Sequence, residues 1–112
     1  MDLERAAHQL EALGNKTRLE IYRTLVRAGY GGLSVGQVQA KVDLPASTLS
    51  HHLKRLIDQG LVRQDRAGTS LICHAEYDAM NALLGFLSHE CCIGDVCPPA
   101  TGDAATDETS PA

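Results

Sequence analysis

Leu44-Pro45-Ala46-Ser47-Thr48-Leu49-Ser50-His51-His52-Leu53-Lys54-Arg55-Leu56 is the stretch on which the reading of this chain turns. Leu49, Leu53, Leu56 and Ile57 recur at three- and four-residue steps, which places them on one face of a helix. Ser47, Thr48, Ser50, His51, Lys54 and Arg55 fall on the other faces. Pro45 suits the first turn, where its missing N–H would have had no partner, and Gly60 closes the helix. Taken singly, Ser and Thr at a helix start are caps, and charges are a solvated face. Ser47, Thr48, Ser50 and His51 together are poor helix formers, and stability alone would have favoured Ala, Glu or Lys there. Short hydroxyl donors instead approach phosphates and base edges without steric conflict, and an imidazole at 51 reaches further into a major groove. Lys54 sits one turn beyond Ser50. His52, beside Leu53, fits packing against the preceding helix as well as it fits DNA contact.

The flanking segments give that helix its setting. Ser34 and Gln37 make a capping box, and Val35, Val38 and Val42 give an apolar stripe, so a third helix spans about 34–42 and breaks at Asp43-Leu44. Leu61 to Arg66 and Thr69 to Ala75 have strand character around Ala67-Gly68 and read as a hairpin. From it, Arg63 and Arg66 would reach a neighbouring phosphate or the minor groove. Two helices joined by a short turn and followed by a hairpin make a winged helix-turn-helix, mainly α with a small β-hairpin. Upstream, Leu3, Ala6, Leu10 and Leu13 predict a helix over about 2–13. Asn15 caps another over about 16–28, with Leu19, Tyr22, Leu25 and Val26 on one face and Ile21 at its edge. Downstream, Ala79, Met80, Leu83, Leu84, Phe86 and Leu87 make a helix over about 76–90 apolar round most of its surface, which implies a partner helix.

Asn15-Lys16-Thr17-Arg18-Leu19-Glu20-Ile21, the run from Leu44 to Leu56 and Gly60-Leu61-Val62 resemble the ArsR/SmtB family of metal-sensing repressors, over about residues 3–90. The resemblance implies a homodimer joined through the helices at about 2–13 and 76–90. It also implies binding to double-stranded operator DNA with an inverted repeat, through the fourth helix and the wing. Ser47, Thr48, Ser50, His51, Lys54 and Arg66 are the candidate DNA-binding residues.

Length and charge fit that expectation. The 112 residues make one domain over about 1–97, followed by a Pro-, Ala-, Thr- and Asp-containing tail, 98–112, expected to be disordered. The formal net charge of -4 is unevenly spread, because all 10 Lys and Arg precede residue 76. A mildly basic body therefore carries an acidic end, and the distribution matters more than the total for DNA binding. The N-terminus has no basic stretch followed by an apolar one, and Ala79 to Leu87 is too short to cross a bilayer, so the expected location is the cytoplasm.

Three of the 4 cysteines cluster in Cys91-Cys92-Ile93-Gly94-Asp95-Val96-Cys97. In a chain without an export signal, this spacing points to ligand binding or redox sensing. The resemblance implies either a Cys-x-Cys pair near the recognition motif, which residues 34–50 do not contain, or, in zinc-sensing members, Asp and His residues along the last helix, for which Asp78 and His89 are the only candidates. What remains resembles the arsenite-responsive members, with a thiolate cluster just after that helix. Three soft sulfurs suit pyramidal As(III) or Sb(III), whereas zinc normally takes four ligands. The expected function is repression relieved when Cys91, Cys92 and Cys97 bind the metalloid. Sensing of another thiophilic cation, or of thiol oxidation or persulfide, stays open. An arsenate-reductase-like enzyme is disfavoured because no anion-binding loop surrounds the thiols. Cys73 alternates with Leu71 and Ala75 on the expected inward face of the wing, as a buried thiol outside the site.

Overall fold

The computed structural model describes residues 1–94; the tail expected over 98–112 lies outside them. Asp2 accepts from the Arg5 N–H at 2.8 Å and opens α1 (Leu3–Leu13). Asn15 does the same for the Arg18 N–H at 3.0 Å and opens α2 (Lys16–Ala28). Leu33–Ser34 then forms a two-residue strand, β1. Ser34 also caps α3 (Val35–Val42), through the reciprocal box with Gln37 at 3.1 and 2.9 Å. Asp43, at φ 55, ends α3, and α4 (Ala46–Asp58) follows. Pro45 precedes the first turn rather than entering it: its ψ of 148 is extended, and its carbonyl accepts from the Leu49 N–H at 3.0 Å. The wing comprises β2 (Val62–Ala67) and β3 (Ser70–Ala75), and α5 (Tyr77–Ser88) completes the order. Ala67 pairs with Ser70, so the hairpin turns at Gly68-Thr69, one residue later than expected. Gly68 has φ +64, which a glycine adopts without steric cost. The antiparallel sheet has the order β1-β3-β2, and the β1 pairing fastens the start of α3 to the wing.

The core lies where α2, α3, α4 and the wing meet. Ile21, Leu25, Val38, Leu49, Leu53, Leu56, Leu61, Val62, Cys73 and Ala75 are buried there. Full burial of each large aliphatic side chain contributes about 1.5–3 kcal/mol, so the roll of α4 about its axis is fixed by its three leucines. On α2 it is Ile21 that is fully buried, while Leu19 stands 42% exposed, the reverse of the expected assignment.

Helix α1 differs more. Its inward residues are Ala6, Gln9 and Ala12, whereas Leu3 is 74% and Leu10 41% exposed. The small alanines let the helices approach closely, and Gln9 Nε2 donates to the Gln59 carbonyl at 2.9 Å. Buried Arg18 donates its Nε to the Ala12 carbonyl at 2.7 Å and ties α2 to α1. On α5, Leu83 is buried, but Leu84 and Leu87 are 55% and 56% exposed. Tyr77 anchors its start by donating to the Val26 carbonyl at 2.9 Å.

Candidate nucleic-acid interface and thiol cluster

Because Leu49, Leu53 and Leu56 are drawn inward, the polar row of α4 turns outward. Ser47, Ser50, His51 and Lys54 are exposed and Thr48 is half-buried. No side chain caps the start of α4, so its first N–H groups are open to an acceptor such as a phosphate. Lys54 Nζ lies 3.4 Å from Asp58, an exposed pair one turn apart that leaves the ammonium accessible. Arg55 belongs elsewhere, reaching back to Glu11 of α1 at 2.9 Å.

The wing stands beside this row. Ser50 and Lys54 share one groove with Gln64, Thr69 and Leu71 of the hairpin, so helix and wing form a continuous surface. Arg66 is exposed on β2 and forms no ion pair with a described residue. Arg63 donates to Asp65 and Glu76, both at 3.0 Å, and its hydrogen bond to the Asp65 carboxylate holds the guanidinium even more firmly protonated. His74 approaches Asp65 at 3.4 Å. Of the sequence-derived candidates, Ser50 and Lys54 share that groove with the wing, Ser47, His51 and Arg66 are exposed and Thr48 is half-buried, while Arg63 braces the wing against the start of α5.

His52 takes the packing role. Its Nδ1 is buried without a partner, and burial, reinforced by nearby Arg18, lowers its pKa from 6.5. Its ring centroid lies 5.8 Å from that of His51, which faces solvent. Gln9 and Arg18, the buried polar supports of the head, went unnoticed in the sequence. The one available signal for them was charge or amide within an otherwise apolar helix face.

The cysteine cluster begins in the turn that follows α5. Cys91 is exposed, and its sulfur is 3.4 Å from that of Cys92, which is disulfide-bonded in this structure. Glu90 and Cys92 have φ of 60 and 62, so the segment turns tightly with non-glycine residues in the left-handed region. Cys97 lies outside the described residues. Among the described residues, no group of three His, Cys, Asp or Glu side chains is gathered to hold a metal ion. Cys73 is a fully buried free thiol that accepts from Gln64 Nε2 at 3.5 Å. Burial pushes its pKa up, which suits a packed side chain and not a reactive thiolate.

Comparison with known proteins places the chain among regulators. A family model described as a helix-turn-helix domain matches residues 13–65. The HTH-type transcriptional regulator YgaV of Escherichia coli is 33% identical over 89 residues, 80% of this chain and 88% of YgaV. Nodulation protein NolR of Rhizobium meliloti is 38% identical over 87 residues, 78% of this chain and 69% of NolR. The crystal structure of NolR from Sinorhizobium fredii superposes with a TM-score of 0.62 at 34% identity, covering 83% of this chain and 88% of that one. A Mycobacterium bovis domain, Mb0332, described as a homodimeric winged helix-turn-helix and a possible ArsR-family regulator, gives 0.63 at 27% identity, covering 79% and 82%. An ArsR-like regulator from Rhodococcus sp. RHA1 gives 0.69, covering 81% of this chain and 80% of that one, and at 24% identity it speaks for the fold alone. No helix among the described residues is long and apolar enough to cross a membrane.

Proposed function

Because this chain belongs to the ArsR family of winged helix-turn-helix transcriptional regulators, we propose that it is a repressor released from its operator by As(III) or Sb(III). As a dimer it grips double-stranded DNA with an inverted repeat. Ser47, Thr48, Ser50, His51, Lys54 and Arg66 form the contact surface, and Cys91, Cys92 and Cys97 take the metalloid as three thiolates. The observation that carries the sensing half is the adjacency of the Cys91 and Cys92 sulfurs, 3.4 Å apart at the end of α5. Dimerisation is supported by Leu3 and Leu10 on α1 and Leu84 and Leu87 on α5, large apolar side chains left at least 41% exposed. The cluster then sits at the end of an interface helix, where a small shift changes the spacing of two reading heads. The inducer acts only if it binds the DNA-competent and released conformations unequally, and such coupling is typically about 1–3 kcal/mol.

Native mass spectrometry of the reduced protein with arsenite tests the site. One arsenic per chain is expected, with three protons lost, unchanged in Cys73→Ala and absent in a variant with serine at 91, 92 and 97. Unaltered uptake by that triple variant would refute the site.

A thiol-redox repressor is the second reading, favoured by the disulfide on Cys92. Release of DNA by peroxide or polysulfide, with no release by arsenite under reductant, would select it.

A further inference from the structure

We propose that the acidic segment 95–112 docks on a cationic face of α2 and α3 formed by Lys16, Arg23, Arg27 and Lys41. Helix α2 presents Ile21 and Leu25 to the same core that holds the leucines of α4, so its exposed side points away from the DNA-reading row. Lys16, Glu20, Arg23 and Arg27 line one shallow hollow on that side, and Glu20, Arg27 and Lys41 line the next. These four cations form no ion pair with a described residue, whereas Lys54, Arg55 and Arg63 each have a carboxylate partner. Glu20 is the one acidic side chain along both hollows, which leaves an excess of positive charge without a match.

The complementary charge lies further along the same chain. Residues 95–112 contain Asp95, Asp103, Asp107 and Glu108 and neither Lys nor Arg. The segment departs from the helix that adjoins the cationic face, since Met80, Leu83 and Leu84 of α5 border a groove together with Arg23 and Arg27. Nine residues of extended chain reach about 30 Å, so Asp103 has ample range from residue 94. The reading surface is a poorer destination. Its Lys54 already faces Asp58 and Arg63 is held by Asp65 of the wing and Glu76 at the start of α5, which leaves it Arg66 against four unpaired cations on α2 and α3 among the described residues. Docking needs no cysteine, so this inference stands or falls apart from the metalloid reading. Its consequence is that the cysteine segment is strung between α5 and an anchored tail.

Zero-length carbodiimide coupling of the full reduced chain tests the contact, because the lysines at 16, 41 and 54 contain a built-in control. Peptide mass spectrometry is expected to find Asp103, Asp107 or Glu108 joined to Lys16 or Lys41, and not to Lys54. The joined peptides are expected to disappear at about 1 M salt, where the Debye length falls to about 3 Å. They are also expected to disappear in R23Q/R27Q, which keeps every amine and carboxylate, with an unchanged thermal melt confirming that this variant is folded. Joining to Lys54 as often as to Lys16 and Lys41, no joined peptide at all, or a yield unaffected by R23Q/R27Q would overturn the proposal.

Discussion

Helix α4 sets Leu49, Leu53 and Leu56 into the core with no more than 2% of any exposed, whereas the turn after α5 leaves Cys91 and Ile93 in solvent and holds Glu90 and Cys92 at positive φ. The first arrangement makes position rigid. Moving Ser50, His51 or Lys54 relative to the wing means unpacking the centre of the molecule. The second leaves a segment with few neighbours to lose, so a ligand can reorganise it at small cost. Stability is thus concentrated at α4 and the wing and spared at the turn after α5.

The contrast can be broken most severely at its rigid end. Leu53→Ala is expected to cost about 2–5 kcal/mol in denaturant unfolding and to abolish operator binding with it. Cys91→Ser, at the other end, is expected to leave the unfolding midpoint in place. On the reading surface, His51→Ala is expected to lose about 1–3 kcal/mol of discrimination between operator and scrambled duplex, measured by anisotropy titration. Lys54→Gln should weaken binding to both duplexes alike and reduce the salt slope by about one. Ser34→Ala removes the α3 capping box and is expected to cost about 1 kcal/mol in the same unfolding assay.

The smallest effect is one of pH. His52 has a folded pKa below its ordinary value, so the unfolded chain takes up more protons as pH falls below about 6.5. Its contribution is present above that pH and is lost on acidification through the depressed folded value. The melting temperature of the wild type is therefore expected to fall more between pH 7.5 and 5.5 than that of His52→Gln.

The head was legible because its signals are local. Capping at Asn15 and Ser34, the leucine period of α4 and the inward thiol of Cys73 are each decided by neighbours a few residues away. The misread features depend on distant partners. Strand β1 is two residues long and has no period of its own; its identity comes from pairing with Ile72 and Cys73. In α1, Leu3 and Leu10 follow a helical step as well as Ala6 and Ala12 do, and periodicity cannot say which stripe faces this chain and which faces solvent. Burial of Gln9 depends on the Gln59 carbonyl, and Arg63 is occupied by Glu76 of another element. Of the cysteine site, the sequence supplied the spacing, while the adjacency of two sulfurs is a property of the turn.

In the proposed mechanism, metalloid bound at the end of α5 loosens the grip of α4 on DNA. Its direct test is an anisotropy titration of arsenite, under reductant, into the protein bound to a duplex selected from a random pool. The account predicts full release for the wild type and Cys73→Ala and none for Cys91→Ser. Retention of DNA by wild-type protein carrying one arsenic per chain would contradict it.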